Sequence, residues 1–447
     1  MKKQAEFWFP ALLCFSLFWL LRSQHFAGDG MMISRITEGG KWLVKNELLS
    51  QVVLQLAYSV FSFCHITPME TMNALSCIGG VSALWVLLRF GEKWVGLPPH
   101  WPLFLFFSSG FFIYACGHTE YYPILLPLLW YYGYCGIGYL RGECRPFYLA
   151  LVFVLACGLH FAMLIALPSL LLLPFGARRM DDYKPILLGL LLLIPLVLIR
   201  NYPEILGHKA AGLSPAWNVL PWFPYPGMYR HYAFFEWGHG LDWLYAWSRR
   251  SWFFWPLIVW CLFTCGVRST WNWERIFLWV YTLCFTGWTT FWHPDLGMEN
   301  DWDLFAIESA PCLLLLLSYL PWFLSHSYRR ATLLLLCSAS ALIQYSYIVE
   351  KADIPRLGYG GAVIQPARSD AFTLSLDGFF RPPILPRLRE GTYSGKYVDQ
   401  THRRAYDFYV VIVPEKIVEV MLDNPCSNGR NQGCSFFQSF TWVSGAE

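Results

Sequence analysis

Residues 101–140 read WPLFLFFSSGFFIYACGHTEYYPILLPLLWYYGYCGIGYL, two apolar runs at 101–117 and 121–140 that meet at Gly117-His118-Thr119-Glu120-Tyr121-Tyr122-Pro123. Neither run carries a charge, and at 1.5 Å per helical residue each covers most of a hydrocarbon layer about 30 Å thick. The stretch therefore predicts two membrane-crossing helices whose connection holds a carboxylate. The rest of the chain repeats the pattern. Apolar runs at roughly 7–21, 71–88, 147–159, 161–176, 185–199, 252–266, 276–291, 305–324 and 331–348 complete a set of about eleven spans, several short enough to need tilt or neighbours.

Composition agrees. Of 447 residues 56% are hydrophobic and 14% charged, against roughly 25% charged in an ordinary soluble domain, which excludes a water-soluble enzyme. The 23 Trp and 25 Tyr are residues that gather at membrane interfaces. A net charge of +3 offers no concentrated basic face, so a nucleic-acid partner is excluded. Met1-Lys2-Lys3 before the run 7–21 resembles a signal peptide, but no small-residue cleavage site precedes Arg22, and an uncleaved first span is expected.

Loop charge sets the expected topology. Lys2/Lys3, Arg89/Lys93, Arg141/Arg145, Arg178/Arg179/Lys184, Arg268/Arg275 and Arg329/Arg330 occupy alternate connections. The positive-inside rule puts them in the cytoplasm, and loops 22–70, 200–251 and 292–304, the turn at 118–120, the break at His160 and the tail from Glu350 outside. This parity requires Leu49–Cys64 not to cross. Its Gln51, Gln55 and Ser59 recur at spacing four, the polar stripe of an amphipathic helix lying at the outer interface. The fold class read from this pattern is an all-α polytopic bundle over residues 1–349, with a tail at 350–447. In the tail Pro and Gly become frequent and Phe408–Val413 reads as a buried strand, so a small α+β cap and a partly ordered arm both fit.

Cysteines such as Cys14, Cys116, Cys157, Cys261, Cys284 and Cys337 sit singly in apolar runs and read as packing residues. Cys426 and Cys434, in a polar segment, could close a loop in an oxidising compartment. No zinc-ligand spacing is present.

Three acidic segments fall on the predicted outer face. Asp29, between Gly28 and Gly30, arrives just after the first span, on a backbone free to approach a headgroup. A helix-ending turn explains the same residues. Arg35, Lys41 and Lys45 follow in the same loop, cations that attract phosphate or merely solvate a helix face. Glu120 beside His118 is the second. A carboxylate at the membrane centre costs about 2.5–3.5 kcal/mol, less at the boundary, so it has a partner or a task. His293 and Asp295, with Asp301 and Asp303, form the third; one acid caps the next helix, and the others would hold a cation or sugar hydroxyls. Loop 200–251 is rich in Trp and Tyr, surfaces on which carbohydrate or a lipid chain packs, and carries His239, Asp242, Arg249 and Arg250, the last two suited to bidentate phosphate contacts.

The layout resembles the membrane glycosyltransferases of the GT-C class, particularly bacterial proteins related to the protein O-mannosyltransferases and the lipid A aminoarabinose transferases. In that class an acid follows the first span, a second acidic site follows the third, and a long outer loop follows the seventh; here Asp29, Glu120 and loop 200–251 occupy those places. The first loop shows Gly-Asp-Gly where the mannosyltransferases carry Asp-Glu, and the second site has one acid where the oligosaccharyltransferases have two. The resemblance implies a multi-pass protein of the cell's inner (plasma) membrane, N-terminus cytoplasmic and C-terminus extracytoplasmic. It further implies inverting transfer of a sugar from a polyprenyl-phosphate donor to a hydroxyl of a glycan, lipid or protein acceptor. Asp29 would be the general base with Glu120 beside it, and His118, Arg35, Lys41, Lys45, His239, Asp242, Arg249, Arg250, His293, Asp295, Asp301 and Asp303 would contact substrate. No cofactor is required by this scheme; a divalent cation (Mg or Mn), if used, falls to Asp29 and Glu120. A transporter or flippase for a lipid-linked substrate, and a polymerase or ligase using a long glycan donor, remain as alternatives.

Overall fold

The computed structural model describes residues 2–23, 30–40, 47–201, 234–250, 253–264, 272–292 and 306–351, together with four strands between 391 and 441. It divides into two units, Met1–Ile354 and Pro355–Glu447.

The described part of the first unit is helical. Proline in the first turn, where its missing N–H is not needed, opens α4 (Pro68–Phe90), α7 (Tyr122–Leu140) and α8 (Pro146–Leu159). α4 is further fixed by a reciprocal cap: Thr67 accepts from the Glu70 N–H, and the Glu70 carboxylate accepts from the Thr67 N–H at 2.9 Å. After Phe90 the chain continues as a wide turn over Gly91–Val95. It returns through α5 (His100–Phe107) and α6 (Phe111–Ala115), the run 101–117 being interrupted at Ser108-Ser109-Gly110. α7 therefore runs parallel to α4, and the two pack closely because Gly79 has no side chain: a Cβ there would lie 2.2 Å from the Pro123 carbonyl oxygen.

α7 is the centre of the bundle. Tyr132 shares a hydrogen bond of 2.9 Å with Ser169 in α9 (Leu167–Gly176). Its Leu129 carbonyl accepts from Tyr281 of α14 (Trp273–Phe291) at 3.1 Å, and its Trp130 indole donates to the Ala310 carbonyl of α15 (Ser309–Leu324) at 2.9 Å. Around it stand α1 (Lys2–Leu20), α10 (Tyr183–Leu190), α11 (Leu193–Asn201), α13 (Phe254–Thr264) and α16 (Ser327–Lys351). Large apolar side chains face outward on these helices: Leu12, Leu335 and Leu342 are 65%, 70% and 71% exposed. A soluble protein does not present such a surface; hydrocarbon covers it. Two stretches among the described residues, Pro68–Val95 and Met180–Ile199, are individually long and apolar enough to cross a membrane. The others are shorter or interrupted, so the count of about eleven spans remains an expectation of the sequence.

Charge separates the two ends of the bundle. At one end Arg141 binds Glu274 through two nitrogens at 2.7 and 2.9 Å and donates to the Trp94 carbonyl at 3.2 Å. There too Tyr139 donates to Asp182 at 2.6 Å, and Arg275 reaches the Ser318 carbonyl at 3.3 Å. The basic connections around Lys93, Arg141, Arg179, Arg275 and Arg329 thus gather on one side. At the opposite end the Ser23 N–H donates to the Cys116 carbonyl at 3.0 Å and Ser50 to the Leu159 carbonyl at 2.9 Å, bringing together the breaks after α1, α6 and α8.

α3 (Leu48–Phe61) lies at this second end, its first turn against Tyr121 and Leu159 and its last leading into α4. Its polar stripe does not face water throughout, as the spacing suggested. Gln51 is buried and accepts from the Tyr121 hydroxyl, while Ser59 is exposed. The helix turns part of its polar face inward because the helix breaks beneath it are themselves polar.

In the second unit the described residues are strands: β1 (Gly391–Asp399), β2 (Arg404–Ile412), β3 (Ile417–Asp423) and β4 (Ser435–Thr441), an antiparallel meander in sequential order. Phe408 lies in β2, paired with Gly395 on one side and Leu422 on the other, as an inner strand.

Candidate active site at the acidic end

The connection between α6 and α7 is held from three sides. Gly117 adopts φ +70°, and a Cβ there would lie 2.5 Å from the Arg22 Cβ, so only glycine lets the chain reverse against the end of α1. The His118 N–H donates to Ser76 Oγ at 2.9 Å, and Ser76 donates to the Tyr114 carbonyl. Asn73 donates to the Ser23 carbonyl at 3.2 Å. His118, Thr119 and Glu120 are consequently buried, Glu120 at 8% exposure.

α2 (Gly30–Glu38) begins on this connection. A Cβ on Gly30 would lie 2.4 Å from the Thr119 carbonyl oxygen and 2.8 Å from its hydroxyl, so the first outer segment and the second acidic segment are in contact. Asp29 itself lies outside the described residues, as do Lys41, Lys45, His293, Asp295, Asp301, Asp303, Cys426 and Cys434. Arg35 stands on α2, and Asp242, Arg249 and Arg250 on α12 (Trp237–Arg250), placed by their backbone alone. His239, in the first turn of α12, is buried with its ring 5.4 Å from Phe234, which stacks on Phe291 at the end of α14. The structure thus brings His118 and Glu120 together with the start of α2 and packs His239 on Phe234, which in turn stacks on α14.

Four groups were not read as members of a site from the sequence. Arg22, read only as the end of a span, touches Gly117; its guanidinium lies over the Trp19 ring at 4.4 Å and donates to the Trp19 carbonyl, with no carboxylate in ion-pair range among the described residues. Glu308 is 1% exposed and accepts from Trp255, Thr286 and Thr289 at 3.2, 3.0 and 2.9 Å. Its only signal was a lone acid at the head of an apolar run. His160 accepts from the Ala162 N–H through Nδ1 at 3.1 Å, so Nε2 carries the proton and donates to Glu47 Oε1 at 3.2 Å. The Tyr122 ring packs on that imidazole at 5.4 Å. Gln51, the fourth, hydrogen-bonds the residue next to Glu120.

Chemically, this end offers a buried carboxylate at a membrane boundary, an imidazole, and the Arg22 guanidinium, which is within Coulombic range of Glu70 but makes no close ion pair among the described residues. Among the described residues no group of three His, Cys, Asp or Glu side chains is placed to hold a metal ion.

No family model and no curated protein matches the chain. Among solved structures, the crystal structure of ArnT from Cupriavidus metallidurans in the apo state is similar, with 11% identity over 75% of this chain and a TM-score of 0.49. The chain spans 62% of the length of that protein.

Proposed function

We propose that this protein is a membrane glycosyltransferase that moves a sugar from a polyprenyl-phosphate carrier to an acceptor hydroxyl at the acidic end of the bundle. The observation that carries the reading is the contact of Gly30 with Thr119, which joins the segment following Asp29 to the one holding Glu120. Two acidic elements far apart in sequence serve one surface. In the reaction the acceptor oxygen attacks the anomeric carbon, its proton passes to the Asp29 carboxylate, and the carbon–oxygen bond to the carrier breaks with the electron pair leaving on phosphate. Arg22 stabilises the departing phosphate, and direct displacement inverts the anomeric configuration. Glu120 and His118 orient the sugar and acceptor.

Glu308 favours a second reading, a transporter in which a buried carboxylate couples to protons. The two separate in one experiment. Purified protein incubated in detergent with a panel of radiolabelled polyprenyl-phosphate sugars and a cell-envelope extract is expected to release label from the carrier in a manner that needs Asp29. Absence of release across the panel, with proton-coupled uptake in vesicles that needs Glu308, would replace the transferase reading.

A further inference from the structure

At the other end of the bundle, away from the acidic groups, α4 and α7 frame a pocket of about 460 Å³. Trp85, Tyr131 and Tyr134 form its walls, and Arg89, Glu92 and Lys93 its polar rim. Tyr131 and Tyr134 stack with centroids 5.9 Å apart. The rim hangs on the wide turn at Gly91–Val95, a backbone departure of the kind that recurs at functional sites. That turn is closed by Leu97 N–H donating to the Gly91 carbonyl at 2.9 Å and by Gly96 at φ +74°.

The rim is charge-balanced. Arg89 pairs with Glu92 at 2.9 Å and Lys93 with Glu143 at 2.5 Å, all four side chains exposed. Lys93 also lies 4.3 Å from the Trp94 ring and 5.7 Å from that of Tyr134. A simple anion entering here would gain two cations and confront two carboxylates. A ligand carrying both signs fits better, its phosphate on the Arg89 and Lys93 side and its ammonium on Glu92 and the tyrosine faces.

Along α4, Ile78, Ser82 and Trp85 are exposed above Arg89; along α7, Ile124, Leu128 and Tyr131 are half-buried beside them. The eleven helical steps from Ile78 to Arg89 rise about 16 Å, close to the depth of one hydrocarbon leaflet. Headgroup-sized polar space beside an exposed, mostly apolar helix face of leaflet length suits a phospholipid.

We propose that this pocket binds a zwitterionic glycerophospholipid with a primary ammonium headgroup, phosphate toward Arg89 and ammonium toward Glu92, with an acyl chain along the exposed Ile78–Trp85 face of α4. A primary ammonium has N–H groups to donate to the Glu92 carboxylate; a quaternary one has none. The assignment is independent of the transferase reading, since none of the headgroup residues belongs to the acidic end.

Native mass spectrometry of the full-length protein, delipidated in detergent and titrated with dioleoyl phosphatidylethanolamine, phosphatidylcholine and phosphatidylglycerol, tests it. Phosphatidylethanolamine is expected to bind about tenfold more tightly than the other two. Glu92→Gln, at a residue whose side chain is 66% exposed and so spares the fold, should bring it level with phosphatidylcholine, and Arg89→Ala should weaken all three. Equal binding of the three lipids by the unaltered protein, tighter phosphatidylglycerol binding, or an unchanged preference in Glu92→Gln would overturn the proposal. Competition by free phosphoethanolamine as strong as by the intact lipid would assign the pocket to a soluble phosphate ester instead.

Discussion

Replacing Gly30 by alanine tests the joint on which the proposed active site depends. The added Cβ would sit 2.4 Å from the Thr119 carbonyl oxygen and 2.8 Å from its hydroxyl, where ordinary contact begins at 3.4 Å. The hydroxyl can rotate away, but the carbonyl is backbone and is fixed between Gly117 and the start of α7. The clash must therefore be relieved by moving α2 away from Glu120 by ~1 Å, and misplacement of that size costs on the order of 10²-fold in rate. Overpacking of this kind also destabilises by about 1–3 kcal/mol. Gly287, inside α14, is the control, since a Cβ added there would meet nothing within 4 Å. Gly287→Ala should leave turnover intact and raise stability by roughly 0.8–1.0 kcal/mol through helix propensity alone. The measurements are carrier-dependent sugar transfer and thermal unfolding of both variants in the same detergent. Gly30→Ala turning over at the wild-type rate would show that the two acidic segments need not be held together, and the reasoning from that contact would fail.

Asp29→Asn should lose about 10²–10⁴-fold in turnover at unchanged expression, because an amide cannot take the proton; a silent substitution would identify Asp29 as a turn residue. Arg22→Ala should raise the KM for the carrier-linked donor and lower kcat, since a phosphate contact acts in both the ground and transition states, whereas unchanged donor kinetics would remove Arg22 from the site. Glu308→Ala should lower the unfolding temperature, because the Trp255 indole and the Thr286 and Thr289 hydroxyls each lose an acceptor, at a cost of about 1–3 kcal/mol; an unchanged unfolding temperature would show that this carboxylate does not hold the helices together. Cysteines placed at Ser62 and Glu92 should label from opposite sides of the membrane, and labelling from one side would refute the arrangement of the two bundle ends. Unreduced protein should show Cys426 and Cys434 joined in the mass spectrum; two free thiols there would argue against an oxidising surround for the tail.

What the sequence made legible is what depends on counting. Alternating basic connections follow from chain reversals, and the structure collects Lys93, Arg141 and Arg275 at one end because each follows or precedes a pass through the bundle. Glu120 was visible because an acid between two apolar runs is rare. Direction was not visible. The stripe of Gln51, Gln55 and Ser59 is a periodicity, and periodicity places residues on one face without saying what that face meets; Gln51 meets Tyr121. Arg22 was hidden by its position, since a cation ending an apolar run reads as an anchor. Glu308 was hidden by its neighbours: Asp301 and Asp303 supplied an acid for the helix start, while the buried carboxylate lies further along and is held by threonines of another helix. Such a cage depends on which helices pack together, and a single chain does not display that.

The polar inventory at the acidic end gives a reason to place a ligand there. Helix breaks inside a bundle leave backbone N–H and C=O groups that must be satisfied. Ser23, Ser50, Asn73, Ser76 and His160 are engaged in that task, each bonded to a backbone group at the end of α1, α6 or α8. If capping were the whole purpose of these residues, their polar atoms would be used up. They are not: Asn73 Oδ1 is buried without a hydrogen-bond partner among the described residues, and so is Nε2 of Gln51 on α3, while Arg22, in Coulombic range of Glu70, makes no close ion pair there. A buried unsatisfied group costs about 1–3 kcal/mol, and here an acceptor and a donor stand on elements that bear on the two flanks of Gly117–Tyr121. An amide acceptor, an amide donor and a guanidinium on the elements flanking Gly117–Tyr121 suit the hydroxyls and the phosphate of the substrate proposed above. They would have nothing to recognise in a helix turn that served packing alone.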